Sequence, residues 1–353
     1  MFRNAESSIV KGPDPLTADH VPEKLVARQE VVKEIARSLE PALSRRKPVH
    51  VWIHGPAGSG KTTVARSPSD RMRKSDSILT AYVSGWRYRT FYSVLDSLTT
   101  QLHVLRAEEQ RTAARLHRLE KHLGETPCII ILDDLGLVTL REREDMLHSL
   151  AGIANVGLIC ISASEKALLE LDRRVRARLN PRVIMLKPYT SDEITQILEE
   201  RASLALVRGS WHRRTLSSIA KISEGNAALA VEILRAAAYA AEAAGKKTIR
   251  PAHIRQAKSR SLTFQEGATF SNLTPHHIDL CKLIRKKKRI PSDRLHKAYL
   301  SRCRGRGVRP VAPRTYSKYI SGLINSGLIR TVGRDGGSRV FAPSQAFHAF
   351  HSQ

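Results

Sequence analysis

Eight residues, Gly55-Pro-Ala-Gly-Ser-Gly60-Lys61-Thr62, limit what this 353-residue chain can fold into more than any other stretch. Their glycines crowd a turn between two contrasting segments. Before it, Val49-His50-Val51-Trp52-Ile53 reads as a buried strand; after it, Thr62 to Arg66 starts a helix. The N–H groups of such a turn, at a helix N-terminus, form a site for the phosphates of a nucleotide. The pattern predicts a binding segment of Gly55, Pro56, Ala57, Gly58, Ser59, Gly60, Lys61, Thr62 and Thr63. Lys61 would reach the β- and γ-phosphates, and the Thr62 hydroxyl would hold Mg²⁺.

A second segment agrees with the first. Cys128-Ile129-Ile130-Ile131-Leu132-Asp133-Asp134 is a short, β-branched run ending in two carboxylates. Such a run suits a parallel strand buried on both faces. A carboxylate at its C-terminal end would lie beside the phosphate loop and bind Mg²⁺ through water. Asp133 is expected in that role, with Asp134 as the base that orients an attacking water.

Charge points to a polyanionic partner. The chain carries a net charge of +26, and residues 271–353 hold 17 Lys or Arg against three acids, Asp279, Asp293 and Asp335. That segment, about a quarter of the chain, carries more than half of the excess. Basic charge concentrated in a folded C-terminal domain predicts nucleic acid as the partner, and the winged-helix pattern of that domain narrows this to double-stranded DNA. No apolar run reaches the length of a membrane span, and Met1-Phe-Arg-Asn-Ala-Glu lacks the features of a signal peptide. No membrane partner is expected. The four cysteines form no CxxC pair, and Cys128 and Cys160 lie in strand-like runs. A cytoplasmic, nucleoid-associated protein is expected.

The chain divides by pattern into a polar N-terminal arm (1–20), an α/β core (21–188), a helical subdomain (189–265) and a C-terminal domain (270–353). In the core, apolar runs at 78–83, 156–161 and 183–186 alternate with helical patterns at 23–43, 90–102, 108–123 and 141–150, which implies a parallel, helix-covered sheet. Ser67–Ser77 is polar and aperiodic and reads as a loop. Thr190-Ser-Asp-Glu193 fits a capping box, and Ala227–Ala243 is strongly helical.

From Thr274 onward, three helical patterns precede a hairpin with the turn Gly333-Arg-Asp-Gly-Gly-Ser338. Three helices and a hairpin make a winged helix-turn-helix, whose third helix enters the major groove. Opposite its apolar stripe of Tyr316, Ile320, Leu323 and Ile324 lie Arg314, Ser317, Lys318 and Ser321, the expected DNA-binding face. Arg334 and Arg339 sit on the wing, within reach of phosphate or minor groove.

This order resembles the archaeal replication initiators related to the origin recognition complex and its licensing partner, members of the AAA+ class. The likeness covers nearly the whole chain. Beyond the phosphate loop it rests on Val21-Pro-Glu-Lys-Leu-Val-Ala-Arg-Gln-Glu30, Leu171-Asp-Arg-Arg-Val-Arg-Ala-Arg-Leu179, Pro188-Tyr189-Thr190 with Arg201, and Gly322-Leu-Ile-Asn-Ser-Gly-Leu-Ile329. It implies an α/β AAA+ P-loop NTPase core with a helical lid, followed by a C-terminal winged helix-turn-helix. By the same resemblance, ATP or ADP and Mg²⁺ are the cofactors, Tyr189 and Arg201 help hold the nucleotide, and Arg174 is the candidate arginine finger. Origin binding and contacts with the replicative helicase and other initiator subunits are implied as well.

The chain also departs from that family. Asp134 stands where the family has Glu, Ala163 where it has the sensor-one Asn, and Ala228 where it has the sensor-two Arg. Loss of charge-stabilising groups predicts slow or absent hydrolysis with binding retained. Two other readings are a DNA-binding transcriptional regulator with a vestigial nucleotide site and an AAA+ DNA motor.

Overall fold

Apolar runs become the strands of the first of two units, Met1–Ile254; the second is Arg255–Gln353. The computed structural model describes residues 8–17, 20–22, 25–73, 77–104, 111–258, 274–325 and 328–343. Strands β1 (Val51–His54), β2 (Leu79–Ser84), β3 (Cys128–Asp133), β4 (Val156–Ser162) and β5 (Arg182–Met185) form one parallel sheet in the order β2-β3-β4-β1-β5. β1, β3 and β4 are buried along their whole length, because helices cover both faces. Ile53, Ile129, Ile131 and Ile159 face one layer; Trp52, Ile130, Leu132 and Leu158 face the other.

The first layer holds α1 (Gln29–Leu39) and α2 (Lys61–Arg73), which pack Ile35, Leu39, Val64 and Ala65 against the sheet. The second holds α3 (Phe91–Gln101), α4 (Thr112–Leu123), α5 (Leu140–Gly152) and the short α6 (Lys166–Leu169) and α7 (Arg173–Leu179). In this arrangement β1 lies between β4 and β5, and the chain leaves its C-terminal end through the glycine turn. Open α/β sheets bind ligands beyond the carboxyl ends of their strands, where strand order reverses.

One expectation fails here. Residues 67–73 continue α2 instead of forming a loop, although Pro68 lies inside the helix. Ser67 and Ser69 are buried beside Val64 and Ala65, and the Ser69 hydroxyl donates to the Ala65 carbonyl at 2.9 Å. The inward face is built of small polar residues, so hydrophobic periodicity cannot register it.

β2 is an edge strand, and its outer edge at Tyr82 is occupied. Gln101 accepts from the Tyr82 N–H at 3.0 Å and donates to the Tyr82 carbonyl at 2.9 Å. One side-chain amide thus stands in for a neighbouring strand.

The helices that follow are α8 (Ser191–Ala205), α9 (Arg213–Ile222), α10 (Ala227–Ala243) and α11 (residues 251–258). The capping box at Thr190 is formed: Thr190 accepts from the Glu193 N–H at 3.2 Å, and Glu193 accepts from the Thr190 N–H at 2.7 Å. α9, with Leu216, Ile219 and Ala220 buried, has no counterpart in the sequence reading. The arm packs on these helices. Ile9 and Leu16 are buried, Val10 bridges Leu206, and the Glu242 carboxylate accepts from the N–H groups of Ile9 and Val10 at 2.7 and 2.9 Å.

The second unit contains α12 (Pro275–Lys287), α13 (Ser292–Gly305) and α14 (Pro313–Asn325), with a sheet in the order β6-β8-β7. β7 (Ile329–Asp335) and β8 (Ser338–Pro343) are the hairpin; β6 (Ile290–Pro291) adds a short third strand that the sequence did not signal. Leu280, Ile284, Leu295, Tyr299, Leu323 and Phe341 form its core. Asp279, buried on α12, accepts from Arg302 at 2.7 Å and Arg306 at 2.8 Å, which ties α12 to α13. This is a winged helix-turn-helix.

Candidate nucleotide site

Backbone conformation makes the loop specific to glycine at two positions. Gly58 and Gly60 have φ of +70° and +88°. A Cβ at Gly58 would lie 1.9 Å from Asn226 Oδ1, and one at Gly60 would lie 2.6 Å from the Tyr189 hydroxyl. The loop is therefore closed over by residues from beyond the sheet. Asn226 caps α10 by accepting from the Leu229 N–H at 3.0 Å, and the next residue, Ala227, donates its N–H to the Gly58 carbonyl at 3.1 Å.

Arg28 links three segments around the same loop. It is buried, donates to the carbonyls of Ser59 (3.3 Å) and Lys187 (2.6 Å), and stacks 4.0 Å above the Tyr189 ring. Arg28 was not singled out in the sequence; its signal was only its place in the run before α1. Ser59 is fully buried, and its hydroxyl has no hydrogen-bond partner.

At the acidic end the predicted residues meet. Thr62 Oγ1 donates to Asp133 Oδ2 at 2.7 Å, although 71 residues separate them in sequence. Asp133 is buried, and its Oδ1 accepts from the Asp134 N–H at 2.8 Å. The Tyr82 hydroxyl also donates to Oδ2, at 3.0 Å, a contact the sequence did not indicate. Lys61 Nζ donates to the carbonyls of Gly55 and Pro56 at 2.7 and 2.8 Å. Burial lowers the Lys61 pKa, opposed by the charges of Asp133 and Asp134. Burial, and then the Asp133 charge, pushes Asp134 up to about 6 against the pull of Lys61. Asp134 adopts a left-handed backbone (φ +54°) that turns the chain away from β3; Asp tolerates this better than most residues.

A hydroxyl and a carboxylate held together are hard oxygen donors, which suits Mg²⁺ completed by water and phosphate oxygens. The donor set of Thr62 and Asp133 therefore fits the expected ion.

Other expected residues lie elsewhere. Arg201 directs its guanidinium to the carbonyls of Pro15 (2.7 Å) and His20 (3.0 Å), so it grips the arm. Arg174 is exposed at the start of α7, pairs with Asp172 at 3.3 Å, and lines a groove with Tyr92, Glu142 and His148 that includes no loop residue. Ala163 and Ala228 are both exposed. In the second unit Arg314, Ser317, Lys318 and Ser321 are exposed along α14, and Arg339 is exposed on β8, 5.9 Å above the Phe341 ring. The Arg334 backbone pairs with Arg339; its side chain lies outside the described residues. No described helix is long and apolar enough to cross a membrane.

Residues 24–158 match the AAA ATPase domain family, and residues 195–259 match the Cdc6 AAA+ ATPase-type lid domain. The chain is 27% identical to an ORC1-type DNA replication protein 1 of Sulfurisphaera tokodaii, covering 94% of this chain and 88% of that one. It is similar to the structure of the Aeropyrum pernix ORC1 protein in complex with DNA, with a TM-score of 0.83 and 25% identity, covering 95% and 93% of the two chains. The Aeropyrum pernix ORC2 protein, in its ADPNP-ADP complexes, shares the fold with a TM-score of 0.67 and 22% identity, covering 97% and 96%.

Proposed function

Since the chain belongs to the ORC1 and Cdc6 type of AAA+ protein, we propose that it is an ATP-binding DNA replication initiator that grips duplex DNA at origins and helps recruit the replicative helicase. The observation that carries the nucleotide half is the hydrogen bond from Thr62 to Asp133 beneath a glycine loop that α10 closes over. The DNA half rests on the basic, exposed face of α14 and the wing.

The chain's residues divide the work. Loop N–H groups and Lys61 would bind the phosphates, and Thr62 and Asp133 would hold Mg²⁺. When bound, the ion would supply positive charge against the phosphate oxygens. Arg28 and Tyr189 set the approach of the loop to the lid helices. Asp134, well placed beside Asp133 but one methylene shorter than Glu, positions a water poorly. With alanine at 163 and 228, nothing there orients that water or adds lid charge, so hydrolysis is slow or absent. Arg174 would act only on a nucleotide held by another subunit.

Calorimetry with ATP and ADP tests the site. Binding should disappear in Lys61→Ala, and unchanged affinity in that variant would remove the assignment. The two alanines also suit a second reading, a DNA-binding regulator with a vestigial site. Mapping the protein across its genome by crosslinking separates the two: peaks confined to promoters, away from any origin, favour the regulator. A motor would instead show DNA-stimulated ATP turnover with strand displacement.

A further inference from the structure

Asp133 Oδ2 accepts two hydroxyls at once. Thr62 reaches it from the loop and Tyr82 from the neighbouring strand β2. We propose that Tyr82 is a positioning residue for the metal end of this site: its hydroxyl fixes the Asp133 carboxylate in the orientation that receives Mg²⁺ with ATP. This inference rests on the nucleotide reading above and deepens it.

Tyr82 is itself held at every part. Its backbone N–H and carbonyl are both taken by Gln101, so the residue cannot slide along the strand edge. Register places Ser84 opposite Asp133 and Tyr82 opposite Ile131, so the side chain extends along the strands toward the carboxylate. Arg66, one turn beyond Thr62 on α2, lies 4.4 Å above the Tyr82 ring. The ring is therefore fixed by the helix that carries Thr62. Helix α2, edge strand β2 and acidic strand β3 thus meet at one oxygen.

A carboxylate with one donor on each oxygen keeps some freedom to rotate about χ2. A second donor on Oδ2 narrows that freedom further before the ion arrives, so less ordering remains to be done on binding. Hydrogen bonds to ionised groups are among the stronger ones in proteins. Losing this one should lower the Mg²⁺-assisted part of ATP affinity on the order of tenfold. Binding without Mg²⁺ does not use the carboxylate and should not change.

The test is Tyr82→Phe, which keeps the ring and its stack with Arg66. ATP affinity is measured by calorimetry in MgCl₂ and again in EDTA, for wild type and variant. The expected result is a loss near tenfold in MgCl₂ and equal affinity in EDTA, where equality also shows an intact loop. Equal affinities in both conditions, or tighter binding in MgCl₂, overturn the role of Tyr82 and leave the nucleotide site standing. A parallel loss in both conditions marks a structural effect and overturns it too. Wild-type protein that binds no ATP in either condition removes the nucleotide reading, and the role of Tyr82 with it.

Discussion

His50 Nδ1 accepts from the Leu158 N–H at 3.0 Å, which fixes the other nitrogen as the donor; that Nε2 is buried and unpartnered. Burial, and then the charge of Lys47, lowers its pKa from 6.5 to about 4. The fold needs the neutral ring, while the unfolded chain takes up a proton below pH 6.5. Stability should therefore fall as pH drops through 6.5, and the loss should level off near pH 4. Its size is about 3 kcal/mol. Urea midpoints from pH 7 to pH 4.5 should show this slope in wild type and a shallower one in His50→Gln. The two alanines make another residue-scale case. Both are exposed, so larger side chains have room. Ala163→Asn with Ala228→Arg should raise ATP turnover by roughly 10- to 1,000-fold, as single charge-stabilising groups commonly do. A phosphate-release assay reads this directly, and no increase would mean that hydrolysis is limited elsewhere, with Asp134 the first suspect.

Elements show why parts of the chain were legible and others were not. β3 is apolar for five residues and then acidic, and β1 runs straight into its glycines, so strand, loop and acid could all be placed from sequence. α2 beyond Arg66 could not, because its buried face is Ser67, Pro68 and Ser69. Tyr82 and Arg28 were equally hidden: an edge-strand tyrosine and an arginine before a helix acquire meaning only from contacts 51 and 159 residues away in sequence. Arg201 was placed by resemblance, yet its hydrogen bonds run to the arm. That arm is held through Glu242, which satisfies two N–H groups. Glu242→Ala should cost about 1–3 kcal/mol in chemical denaturation by leaving them unpaired, while Glu242→Gln should cost less. On α14, the exposed Arg314 and Lys318 should each release counterions on contact with DNA. Changing both to Ala should reduce the slope of log affinity against log salt by about 2 in a filter-binding titration. An unaltered slope would place the duplex on another face.

At the scale of the whole molecule, a nucleotide unit and a DNA-binding unit in one chain make a testable thermodynamic pair. If ATP shifts the affinity for duplex, duplex must shift the affinity for ATP by the same factor, typically about 5- to 150-fold. Titrating each ligand in the presence and absence of the other should give equal factors; a factor of one both ways would mean the units act independently. Concentration brings a separate demand. Proteins that gather on DNA reach high local density, and a bare sheet edge is then a template for runaway stacking between copies. At the margin of β2 the Gln101 amide already takes the Tyr82 N–H and carbonyl, so that pair is closed to a strand from a second copy.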